Sequence, residues 1–116
     1  MNLDQVLLSN NLFTNIPPCI YRIKNIEELN LGSNFISHIS DSIGDLTKLY
    51  SLRLDHNEIG VIPLTFAKLT ELTWLNLESN RIKNIAILQT CEKLQRLCIS
   101  NNKVGNRKIN TFKKRL

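Results

Sequence analysis

The stretch "LNLESNRIKNI", residues 75–85, sets a run of Leu and Ile around one asparagine, Asn80. Asparagine is a poor strand residue and is costly in a core without hydrogen-bond partners. Nearly the same phrase, "LNLGSNFISHI", stands at residues 29–39. A polar residue that returns at a fixed interval in an apolar frame belongs to a repeating unit, and that periodicity takes precedence over any local assignment.

Aligning on the asparagine gives Asn11, Asn34, Asn57, Asn80 and Asn102, with steps of 23, 23, 23 and 22 residues. Around each, the pattern L-x-x-L-x-L-x-x-N-x-L holds throughout. It reads Leu3, Val6, Leu8, Phe13 in the first unit and Ile26, Leu29, Leu31, Ile36 in the second. The third has Leu49, Leu52, Leu54, Ile59, the fourth Leu72, Leu75, Leu77, Ile82, and the fifth Leu94, Leu97, Ile99, Val104. The second half of the unit recurs too. Ile16, Ile39, Ile62 and Ile85 share one slot, Ile20, Ile43, Phe66 and Leu88 the next, and Ile23, Leu46, Leu69 and Cys91 a third. In the fifth unit the first of these slots holds Arg107, so the repeat fails there.

These residues resemble the leucine-rich repeat family over positions 3 to about 104. "NIPPCI" and "VIPLTF", in the first and third units, are similar to the 23-residue class common in intracellular proteins around Ras-type signalling. The fourth unit lacks the proline and resembles the 22-residue class of phosphatase regulatory subunits and axonemal dynein light chains. The resemblance implies an interaction module, a signalling scaffold or regulatory subunit, and not an enzyme.

The spacing carries a fold of its own accord. In L-x-x-L-x-L the last two apolar residues point to one face of a strand. One unit cannot bury that face alone, but stacked units share a continuous core. The expected class is therefore α/β, a right-handed solenoid with a short parallel sheet on the concave face and short helical or 3₁₀ turns on the convex side. Pro17 and Pro63 fit those turns, which donate nothing to a strand ladder. The asparagines are expected to pair backbone groups left open where the strand turns, forming a ladder from repeat to repeat. The expected organisation is a repeat domain over 1–106, with units starting near 3, 26, 49, 72 and 94, followed by a basic tail or partial cap over 107–116.

Alternation leaves the x positions of each strand on the concave face. One row reads Gln5, Glu28, Ser51, Trp74, Arg96 and the next Leu7, Asn30, Arg53, Asn76, Cys98. Beyond them lie Ser9, Gly32, Asp55, Glu78, Ser100, then Asn10, Ser33, His56, Ser79, Asn101. The varied, charged centre holds the one tryptophan of the chain, and Trp and Arg are enriched among binding hot spots. The expected partner-binding residues are Glu28, Asn30, Arg53, Asp55, Trp74, Asn76, Glu78 and Arg96, facing a protein or peptide.

Other chemistry finds little support. The two histidines, His38 and His56, lie in different registers, and neither H-E-x-x-H nor a glycine-rich phosphate loop occurs. Three cysteines without C-x-x-C suggest neither a disulfide framework nor a zinc site. Cys91 is expected in the core and Cys98 on the concave face. No metal, cofactor or catalytic residue is expected. "MNLDQVLLSN" carries an acid and no basic lead-in, unlike a signal peptide, and no apolar run is long enough to span a membrane. With the unpaired cysteines this points to an intracellular, cytoplasmic setting.

The net charge of +5 is unevenly spread. Residues 103–116 hold six basic residues and no acid, while the rest holds nine basic and ten acidic residues. A second expectation follows, of a structural repeat whose basic tail meets nucleic acid or an acidic surface. Alternatively Ile109 and Phe112 fold back over the last core layer. An uncapped solenoid end would also favour self-association.

Overall fold

The computed structural model of the chain describes residues 4–116, so Leu3 lies outside the described residues. Five three-residue strands, β1 (Gln5–Leu7), β2 (Glu28–Asn30), β3 (Ser51–Arg53), β4 (Trp74–Asn76) and β5 (Arg96–Cys98), form one parallel sheet in chain order. The register is that of the repeat, with Gln5, Glu28, Ser51, Trp74 and Arg96 side by side. Each strand is prolonged by further backbone bonds, such as those from Leu31 N to Arg53 O and from Leu54 N to Asn76 O, both 2.8 Å. Beyond the asparagine a second ladder links the repeats, from Phe35 N to Phe13 O through Lys103 N to Ile82 O, every bond 2.8 Å.

Four 3₁₀ turns return the chain over the convex side: Pro18–Arg22, Asp41–Asp45, Leu64–Lys68 and Ala86–Thr90. Pro17 and Pro63 stand immediately before two of them with φ of -54° and -60°. The pyrrolidine ring fixes that angle at no cost in hydrogen bonds. Ser40 starts the second turn differently, its Oγ accepting from Ser42 N at 3.2 Å. The arrangement is the α/β solenoid expected.

Between sheet and turns lies a single apolar core. Leu52, Leu54, Phe66, Leu75 and Leu88 are wholly buried, and Cys91 is almost so. Desolvation raises the Cys91 thiol pKa, against smaller lowering contributions from Thr90 and the Arg115 charge. Gly44 sits where two convex turns touch: a Cβ there would fall 2.9 Å from Thr65 Cβ and 3.0 Å from Thr65 O. Because backbone cannot yield as a side-chain tip can, Gly44→Ala is expected to cost about 1–3 kcal/mol by overpacking. Urea unfolding would register this as a lower midpoint at unchanged slope.

After the fifth strand the chain departs from the repeat. Arg107 is exposed, and residues Asn106–Lys113 form α1, which starts inside the 1–106 range and continues into 107–116. Phe112 is buried against the last layer and Ile109 is half-buried. Arg115 lies over the Phe112 ring at 4.8 Å and donates to Gln89 O (2.6 Å), Cys91 O (3.2 Å) and Leu88 O (3.3 Å). One guanidinium fork thus meets carbonyls at the end of the Ala86–Thr90 turn.

Candidate functional site

The strand alternation that buries Leu52, Leu75 and Leu97 turns the flanking residues toward the open sheet face. There the Arg53 guanidinium stands 4.1 Å from the Trp74 ring centroid, and that of Arg96 stands 5.3 Å from it. The two cations come from β3 and β5, on either side of the strand that carries the indole. Arg53 and Arg96 are exposed and Trp74 is half-buried. Such contacts contribute roughly 0.5–1 kcal/mol each at exposed sites. The indole Nε1 is buried with no hydrogen-bond partner, an uncompensated donor.

The other expected residues divide between this face and local structure. Glu28 accepts from the Tyr50 hydroxyl at 2.9 Å, which raises the tyrosine pKa, with desolvation and nearby acids adding smaller contributions. Asn30 Oδ1 accepts from Gly32 N at 3.0 Å, and Asn76 Oδ1 from Glu78 N at 3.1 Å. Both amides therefore brace the strand exit as well as lining the face. Glu78 accepts from Ser100 Oγ at 3.1 Å. Asp55 is half-buried beside Gly32, where an added Cβ would lie 2.8 Å from its Oδ1. A depression of about 240 Å³ continues the face toward β1, lined by Gln5, Leu7, Glu28, Asn30, Ser51 and Arg53 among others.

Two positions expected on the exposed face are instead buried. Ser51 lies between Glu28 and Trp74 in register and is 8% exposed, covered by larger neighbours. Gly32 lies beneath the Asn30 and Asp55 side chains. The row Asn10, Ser33, His56, Ser79, Asn101 also has a role beyond display. All five have φ between 54° and 60°, the left-handed turn that sends the chain out of the sheet. Asparagine tolerates that region better than most residues, so the composition of the row held a clue.

Four of the five structural asparagines hold two repeats together. Asn57 Nδ2 lies 3.0 Å from Leu31 O in the preceding repeat, 3.1 Å from Leu54 O and 3.2 Å from Asp55 O, while its Oδ1 accepts from Ile36 N at 2.9 Å. Asn34, Asn80 and Asn102 repeat the pattern. The amides thus meet backbone of the repeat before them and not one another. Asn11 is exposed and bonds only within its own repeat, to Leu8 O and Ser9 O.

Tyr50, at the lip of the sheet, and a groove on the far side of the molecule were not singled out from the sequence. That groove, about 760 Å³, is lined by Val61, Pro63, Leu64, Ala86 and Ile87 among others. Val61 is 73% and Leu64 77% exposed, a signal that only the structure makes visible. Among the described residues no group of three or more His, Cys, Asp and Glu is placed to hold a metal ion. Nor is any helix among the described residues long and apolar enough to cross a membrane.

Comparison with known proteins agrees with this geometry. The leucine rich repeat family model matches residues 1–59 and 47–104. The crystal structure of an internalin (inlF) from Listeria monocytogenes is similar, with 29% identity and a TM-score of 0.79 over 88% of this chain. The match spans only 29% of the internalin chain. No curated protein matches. Five repeats in register, an asparagine holding each to the last, and a family match along most of the sequence lead to one assignment: the chain belongs to the leucine-rich repeat family.

Proposed function

We propose that the protein is a non-catalytic interaction module whose concave sheet face captures a protein or peptide, as part of an intracellular scaffold or regulatory subunit. The observation that carries this reading is the Arg53–Trp74–Arg96 stack. A large, half-buried aromatic stands on the sheet face, flanked by an arginine from the strand on either side. Members of the family generally mediate protein–protein interaction, and repeat solenoids offer extended concave surfaces for it. Glu28, Asn30, Asp55, Asn76 and Glu78 surround the stack as a polar rim around an aromatic anchor. The intracellular setting rests on Cys19, Cys91 and Cys98 all being free thiols.

Trp74→Ala is the test. Since the indole lies on the open face and outside the apolar core, the variant is expected to keep its circular dichroism and lose about 1–2 kcal/mol of stability, the two arginine contacts at roughly 0.5–1 kcal/mol each. Affinity for a captured partner should fall about 30-fold or more, the loss of one hot-spot residue at about 2 kcal/mol or above. A partner held equally well by wild type and variant would place binding elsewhere.

A further inference from the structure

Resting on the concave-face reading, we propose that Arg53 and Arg96 form an acid-reading clamp, and that the partner is an extended peptide segment bearing Asp or Glu two residues from Lys or Arg. Among the described residues no carboxylate lies within salt-bridge distance of either guanidinium; the ion pairs are Lys24–Asp45, Arg81–Glu58 and Lys93–Glu71, each joining two neighbouring repeats elsewhere on the surface. Two guanidinium groups, each with five N–H donors, therefore stand on one ring with no carboxylate paired to either among the described residues. Stacking holds the arginines against the indole, so less side-chain freedom is lost when a carboxylate docks. A carboxylate accepts two parallel N–H bonds from one such fork.

The acids on the same face set the rest of the preference. Asp55 and Glu78 lie toward the strand exits, Asp55 two residues beyond Arg53 on the same side of its strand. Residues two apart along an extended strand are spaced by roughly 7 Å. A peptide running along the strands would set side chains two residues apart at the same spacing, its acid over the arginines and its base over Asp55 and Glu78. A polyanion such as nucleic acid would instead meet Asp55, Glu78 and Glu28 as like charges.

Selection of a displayed library of random dodecapeptides on the wild-type chain tests this, with binding of the recovered peptides to wild type and variants followed by the fluorescence anisotropy of a label on the peptide. Recovered peptides are expected to carry an acid two residues from a base. Arg53→Gln should weaken them about tenfold, the loss of a charge-assisted hydrogen bond, and Arg53→Gln with Arg96→Gln more. Asp55→Lys should abolish the demand for the base while keeping that for the acid. Recovered peptides without this acid–base pair, an unchanged affinity in the double glutamine variant, a failure to recover any peptide, or displacement of peptide by a single-stranded oligonucleotide would each overturn the clamp. Peptides that bind Trp74→Ala as tightly as wild type would instead overturn the underlying concave-face reading. Peptides lost on Trp74→Ala but indifferent to the arginine charges would leave that reading standing and remove only the clamp.

Discussion

Asn57→Leu is expected to destabilise the chain by about 2–3 kcal/mol, since a buried backbone group left without a partner costs about 1–3 kcal/mol and two carbonyls each lose one of their two donors. The leucine is close to isosteric, but it leaves Ile36 N without its acceptor and takes one of two amide donors from Leu31 O and Leu54 O, which Asn34 and Asn80 still reach. Those groups lie inside, where water cannot replace the amide. Against a total stability of roughly 5–15 kcal/mol the loss would lower the melting temperature by roughly 10 °C. Asn11→Leu provides the internal comparison. Asn11 is exposed and reaches no other repeat, so its replacement should cost less than about 1 kcal/mol. Thermal unfolding of the two variants side by side measures the difference. Equal melting points would mean that the asparagines are surface turn residues and that the bonds between repeats contribute nothing.

Phe112→Ala should act at the other end of the solenoid. Removing a buried phenylalanine costs about 3–5 kcal/mol where the structure cannot close around the gap. Here the change also removes the ring on which Arg115 rests, and so loosens the fork on the Gln89, Leu88 and Cys91 carbonyls. The first sign should be faster amide hydrogen exchange in Asn106–Lys113, then in β5, as the last layer opens. Leu97 and Ile99 would be exposed by that opening, and light scattering should detect association between copies. If exchange in β5 stays at the wild-type rate, α1 is an appendage and not a cover.

Most of the fold was legible because a 23-residue period repeats one structural solution. Val6, Leu29, Leu52, Leu75 and Leu97 fall at the centre of their strands as the pattern requires. Periodicity states which face a residue points to, but not what lies on top of it. Ser51 and Gly32 point toward the open face and are buried by larger neighbours, which no count along the chain reveals. The left-handed row is a similar case, with Ser33, His56 and Ser79 looking like ordinary exposed polar residues until their backbone angles are seen. At the C-terminus the period stops, and the reading of the basic segment was divided accordingly. The charge of Arg115 shows in the sequence; the three carbonyls it meets do not. Trp74 and its arginines stood out by residue type alone, whereas their stacking across three strands depends on how the side chains lean.

The fourth unit is one residue shorter than the others, and the sheet takes no notice. Ile36 N reaches Asn57 and Ile59 N reaches Asn80 across 21 positions, while Ile82 N reaches Asn102 across 20, all at 2.9 Å. The missing residue is absorbed in the outer half of the unit, before β5 resumes its place beside Trp74. Length variation on the back of the molecule is thereby uncoupled from the pitch of the front. Such a chain can be lengthened, shortened or redecorated behind the asparagine ladder during evolution or engineering, and the spacing at which its front-face side chains meet another molecule stays the same.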